Sequence, residues 1–248
     1  MSEQTKTENK SRELGITIIT IVLAGAAVNF FILGSLGIIS FIEYRNIFLI
    51  PSVIGIVIIA AYSHVRMKRL SNRLITGLWT GAVATLALEA IRIPGYAVLH
   101  WLPGDDMIMM PGAFLNGLAS SPMALMDMMH SGAMMSMPQS TTMVIMISGT
   151  VYHLWNGATM GAMYTLFMGK TKWYYGVAWG FIINIGMMLA PWLIMMMGPF
   201  GVKYMDGYNI FTVALAAHLA YGAVLGLLAQ KFVKHNGSIA TLRKQQVV

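Results

Sequence analysis

Six polar side chains lie inside stretches of sequence that are otherwise apolar: Glu89, Arg92, His153, Asn156, Asn184 and His218. Ionisable groups in such surroundings are costly, so they face the protein interior or a wet cavity and mark sites of function. Counted at about 1.5 Å per helical residue, all six fall between the middle of a bilayer and its outer third, which predicts one shared polar chamber. Glu89 and Arg92 are three residues apart, so they share a helix face and can neutralise each other. Two imidazoles and a carboxylate, His153, His218 and Glu89, would suit Zn, Fe or Cu(II). Two histidines on facing helices could also clamp a b-type haem, the less favoured reading because nothing else in the sequence argues for one. The plainer alternative is a neutral pair that pins one helix in place, with each histidine hydrogen-bonded to a neighbouring helix.

A second group could do chemistry of another kind. Residues 102–139 contain no Lys or Arg, and they hold Asp105, Asp106, Asp127, His130 and ten of the chain's 23 methionines. Their core reads MALMDMMHSGAMMSM. If helical throughout, it lines up Met123, Met126, His130 and Met134 in one stripe. Thioethers are soft, neutral ligands that prefer Cu(I), and mixed Met/His sites also hold Cu(II). They need no deprotonation. Met123, Met126, Met129, His130, Met134 and Met135 are therefore candidate ligands. Over about 15 residues the segment resembles the Met/His-rich stretches of copper-transport and copper-resistance proteins, a resemblance of composition, carried by MxxM, MxM and MMxH spacings. It implies copper as the ion. Methionine is also a flexible apolar filler, so the same residues would suit an interfacial helix capping a bundle or a surface where a partner docks.

The elements that must position these groups follow from the apolar runs. Hydrophobic residues make up 57% of the 248-residue chain and charged residues only 10%, which excludes an ordinary soluble domain. A spanning helix needs roughly 20 apolar residues. Six such runs are present: about 14–41, 47–62, 74–98, 141–168, 174–197 with a kink at Pro191, and 210–232. The predicted fold is thus all-α, a polytopic membrane protein of about six transmembrane helices. Residues 1–13 form a polar tail, 14–232 the bundle with its outer loop 102–139, and 233–248 a basic tail. The first run is too long for a signal-peptide core and is read as a retained helix.

Thirteen of the 16 basic residues precede the first run, lie at the very end of the sixth or after it, or lie at 66–73 and 170–172. The positive-inside rule makes that side cytoplasmic, so both termini are expected inside a cell membrane and 102–139 outside. The net charge of +7 then reflects topology and contact with anionic lipid, and nucleic-acid binding is not implied. The absence of cysteine excludes disulfides and thiolate ligands. An echo also runs between His153-x3-Gly157-x3-Gly161 and His218-x3-Gly222-x3-Gly226, with glycines at the spacing that lets membrane helices approach closely.

No nucleotide-binding loop, H-E-x-x-H motif, Ser-His-Asp order or pair of hydrolytic acids is present. Metal handling, with copper collected by the outer loop and held in the chamber, is the leading expectation. The alternatives are an accessory subunit of a larger membrane complex such as a respiratory or metal-dependent oxidase, and a small redox protein carrying a metal or haem b. The lipid bilayer is the expected partner, with room for partner subunits or a homo-oligomer.

Overall fold

A computed structural model describes residues 3–102, 106–133, 136–203 and 207–237. Ten α-helices run through them: α1 (Glu3–Ser35), α2 (Phe41–Tyr44), α3 (Ile50–Arg66), α4 (Lys68–Ala97), α5 (Asp106–Leu115), α6 (Pro122–His130), α7 (Gln139–Met168), α8 (Tyr174–Met188), α9 (Pro191–Met197) and α10 (Asn209–Phe232). No strand forms among the described residues; an isolated bridge joins Lys170 to Asn236.

Four helical stretches are long and apolar enough to cross a membrane: Ser11–Ser35, Phe41–Arg66, Lys68–Ala97 and Asn209–Phe232. A fifth is gained if α8 and the Pro191–Gly201 segment, bent by 59° at their junction, form one broken span. The bend falls at Pro191, whose ring cannot continue the preceding helix. The span 41–66 is continuous because α2 passes through a π-helical turn at Arg45–Leu49 into α3. Pro51 follows that turn directly. Its missing amide would break a regular helix at this point, and the wider turn accommodates it.

The exterior is apolar. Ile18, Ile19 and Val22 on α1, Ile54, Val57 and Ile58 on α3, Val83 and Leu86 on α4, Val144, Ile147 and Val151 on α7, and Phe181 and Ile182 on α8 all point outward. Each set recurs at helical spacing, giving every helix an oily outer stripe. Such surface belongs against lipid, and the chain is a multi-pass membrane protein.

Backbone-to-backbone contact holds the centre together. α7 packs most extensively on α4, and α10 on α4 and α8. Gly77 and Gly81 of α4 meet Gly157, Ala158, Gly161 and Ala162 of α7; Gly176 and Gly180 of α8 meet His218, Gly222 and Gly226 of α10. Each of the two hairpins is therefore zipped by small residues four apart on both helices. The glycine pair on α7 and that on α10, which echo each other in sequence, occupy equivalent places in the two hairpins.

Helix α5, from the methionine-rich segment, is built into the bundle. Its Gly112 rests on the Ile145 carbonyl of α7, and Gly149 of α7 rests on the Ile108 carbonyl of α5. Phe114 stacks on Phe41 with ring centroids 4.0 Å apart, inside a cluster that also holds Phe30, Tyr44, Tyr152, Leu193 and Met197.

Candidate functional site

The polar cluster begins at the end of the α4–α7 zipper far from Lys68. Two turns beyond Gly81, α4 presents Glu89; one turn before Gly157, α7 presents His153. Glu89 Oε1 and His153 Nε2 are 2.8 Å apart, with only 15% and 28% of the side chains exposed. The contact lies off the line of a well-aligned hydrogen bond, and neither atom has another partner. The second carboxylate oxygen is saturated by Arg92, whose Nη2 and Nε lie 2.6 and 2.8 Å from Glu89 Oε2. Arg92 also stacks over the Tyr96 ring, 5.5 Å from its centre. Glu89, Arg92 and His153 thus converge as one cluster.

The equivalent level of the second hairpin is occupied by uncharged counterparts. His218 of α10 is buried, and its Nδ1 lies 2.8 Å from the Ala214 carbonyl. A carbonyl can only accept, so Nδ1 carries the proton, and the neutral ring's lone pair sits on Nε2. Asn184 of α8 lies one turn beyond Gly180, the residue packed on the His218 carbonyl. Asn184 is fully buried, and both ends of its amide lack a hydrogen-bond partner; the side-chain oxygen Oδ1 of Asn156 on α7 lacks one too. Buried polar atoms are normally satisfied, so unpartnered ones at a single level call for water or a ligand. Tyr221 closes the layer inward, donating from α10 to the Gly157 carbonyl of α7 at 2.7 Å.

These six polar residues thus sit on four helices packed in series, α7 on α4, α4 on α10 and α10 on α8. Among the described residues, however, no three His, Asp or Glu side chains draw together as a group that could hold a metal ion. Glu89 and His153 touch; His218 stands apart from them on α10.

The methionine segment is divided. α6 carries Met123, Met126, Met129 and His130 but ends at His130, and Gly132 beyond it has a φ of +74°, left-handed backbone that closes the helix. The stripe therefore stops short of Met134. Met126 is buried in the aromatic cluster while Met123 is 54% exposed. Met110 of α5 is also core. The side chains of Met129 and His130, and the whole of Met134 and Met135, lie outside the described residues.

Sequence reasoning passed over Tyr221 and the glycines of α4 and α8. Their i, i+4 spacing was the available signal for the glycines; nothing short of the packed helices places the Tyr221 hydroxyl. The chain matches no protein family, no curated protein and no solved structure.

Proposed function

We propose that this protein is a six-span bundle with both termini cytoplasmic, and that it handles a soft transition metal, copper above all, in the chamber between α4, α7, α8 and α10. The sixth span is α7. Its 30 residues make about 45 Å of helix, and what lowers its apolarity is His153, Asn156 and Thr159 on a face turned toward α4 and α10. The observation that carries the metal reading is His218: a buried imidazole whose Nδ1–H is held by a backbone carbonyl, leaving Nε2 to bind. Metal-ligating histidines are oriented in this way.

The ion's charge follows from the surroundings. With Glu89 neutralised by Arg92, the chamber offers neutral donors: imidazole nitrogen, amide oxygen and, near the outer face, thioethers. A low-dielectric site without net negative charge penalises a divalent ion more than a monovalent one. Cu(I) fits better than Zn. The outer segment would collect the ion, with exposed Met123 the first of its described sulfurs to meet it.

Elemental analysis of the purified protein from copper-supplemented cells tests this. Near-stoichiometric copper is expected, falling steeply in His218→Ala and His153→Ala, with Met123→Leu slowing loading while leaving the final content unchanged. Folded protein without copper would end this reading in favour of the accessory-subunit one. A Soret band would replace copper with haem.

Topology is tested separately, since the native chain has no thiol. Cysteine at exposed Ser136 should react with an impermeant reagent in intact cells, and cysteine at exposed Lys172 only after permeabilisation. Ser71 is buried and would be a poor inner reporter. The opposite pattern would invert the bundle.

A further inference from the structure

The opposite end of α4 carries a cationic site that the chamber does not use. α4 starts at Lys68 with no acidic residue in its first turn and no side-chain cap. Basic side chains at a helix start oppose the helix dipole, which favours an anion there. Arg69 and Arg73 are one turn apart on the same face. Arg73 is only 2% exposed. Its Nη2 donates to the carbonyls of His235 and Asn236, each at 3.1 Å, and of Gly237. These anchor the segment after α10 without supplying a charge. Arg73 Nε has no partner, and neither Nε nor Nη2 of Arg69 has one. The carboxylate whose charge reaches Arg73 is Glu13 on α1, yet among residues with described side chains no carboxylate pairs with either guanidinium.

A buried guanidinium on Arg73 beside a half-buried one on Arg69, whose Nε and Nη2 are shielded, is expensive without a counter-charge. Their planar forks match the oxygens of a phosphate. The span 68–97 begins at these residues, so they sit at headgroup level. Lys68, Lys170, Lys172 and Lys234 stand around the same end, a charge pattern that draws anionic lipid.

We propose that Arg69 and Arg73 form a phosphate site for the headgroup of an anionic phospholipid, which supplies the missing counter-charge and fastens the segment 233–237 to the base of α4 and α7. The site is independent of the metal reading, and either can fail alone.

The test uses the full-length protein in neutral detergent, stripped of lipid and titrated with phosphatidylglycerol, phosphatidylcholine or inorganic phosphate. Bound lipid is counted by native mass spectrometry, and Tm is followed in parallel. Phosphatidylglycerol should bind and raise Tm, phosphatidylcholine should do so weakly, and Arg69→Gln should weaken phosphatidylglycerol binding about tenfold or more. Arg69 is chosen because the tail-anchoring bonds belong to Arg73. Arg69→Lys, which keeps the charge and loses the fork, should fall between the two and carries the test if Arg69→Gln does not fold. An equal, Arg69-dependent rise from inorganic phosphate alone would overturn the lipid assignment and make the free anion the ligand. Undiminished phosphatidylglycerol binding by the variants would overturn the site.

Discussion

Gly81→Ala and Gly161→Ala are each expected to cost the protein several kcal/mol, enough to deplete folded protein in the membrane, while Gly186→Ala leaves it unchanged. A methyl group on Gly81 would land on the Gly157 carbonyl and sit 3.0 Å from the Cα atoms of Ala158 and Gly161. One on Gly161 would meet the Gly77 carbonyl and the Gly81 backbone. These obstacles are backbone, so no side chain can rotate away, and the helices must separate. Overpacking of this kind costs about 1–3 kcal/mol or more at one site. Separation would also loosen the Glu89–His153 contact one to two turns away. The total is large against the roughly 5–15 kcal/mol that holds an ordinary domain together.

Gly186 is the control. It lies in α8, and a methyl group there would find nothing within 4 Å. Alanine at this position should be neutral or slightly stabilising, because glycine is the poorer helix former. Gly180→Ala, facing the His218 carbonyl, should behave like Gly81→Ala and also disturb His218. Thermal unfolding in detergent reads all four. Equal Tm for Gly81→Ala and Gly186→Ala would mean that the α4–α7 crossing does not depend on direct backbone contact.

The zipper also shows how far the sequence reached. Of the six expected spans, four were legible as long apolar helices, and a fifth if α8 and Pro191–Gly201 are one broken span, because apolar runs are strong, repetitive signals. Pro191 announced its bend, while the run at 141–168 forms a helix less apolar than these. The His-x3-Gly-x3-Gly echo was legible as a spacing. What it packs against was not, since the partner glycines lie 80 residues away in α4 for one copy and 46 away in α8 for the other, and periodicity along one helix does not name its neighbour. Arg69 and Arg73 read as topology charges, and the burial of Arg73 emerges only where α4, α7 and residues 235–237 meet. Methionine was the least informative. Met126 and Met123 are identical in type and three residues apart, yet one is core and the other faces out, because a thioether serves as filler or ligand equally well. The contact of Glu89 with Arg92 and His153, by contrast, followed from cost: side chains that lipid cannot tolerate had few places to go.

That cost supports the second large effect. Arg92→Met is expected to destabilise the protein by about 3–5 kcal/mol, the usual penalty for stripping one partner from a buried ion pair. It leaves the Glu89 carboxylate with only the poorly aligned His153 contact. Glu89→Met should cost a similar amount, since Arg92 then loses both bonds to Oε2. The double variant should recover most of the loss, because replacing a buried pair with apolar groups of similar bulk is often neutral or stabilising. Unfolding measurements on the three variants give the coupling directly, and an Arg92→Met variant as stable as the native protein would show that the pair carries no such energy. Copper content, measured on the same samples, then separates two roles for Glu89. If the carboxylate only pins α4, the double variant regains copper along with stability. If its free oxygen Oε1 also helps to hold the ion, the double variant folds and stays empty. Stability and metal content part company only in that second case, because methionine can fill the space of a carboxylate but cannot supply its oxygen.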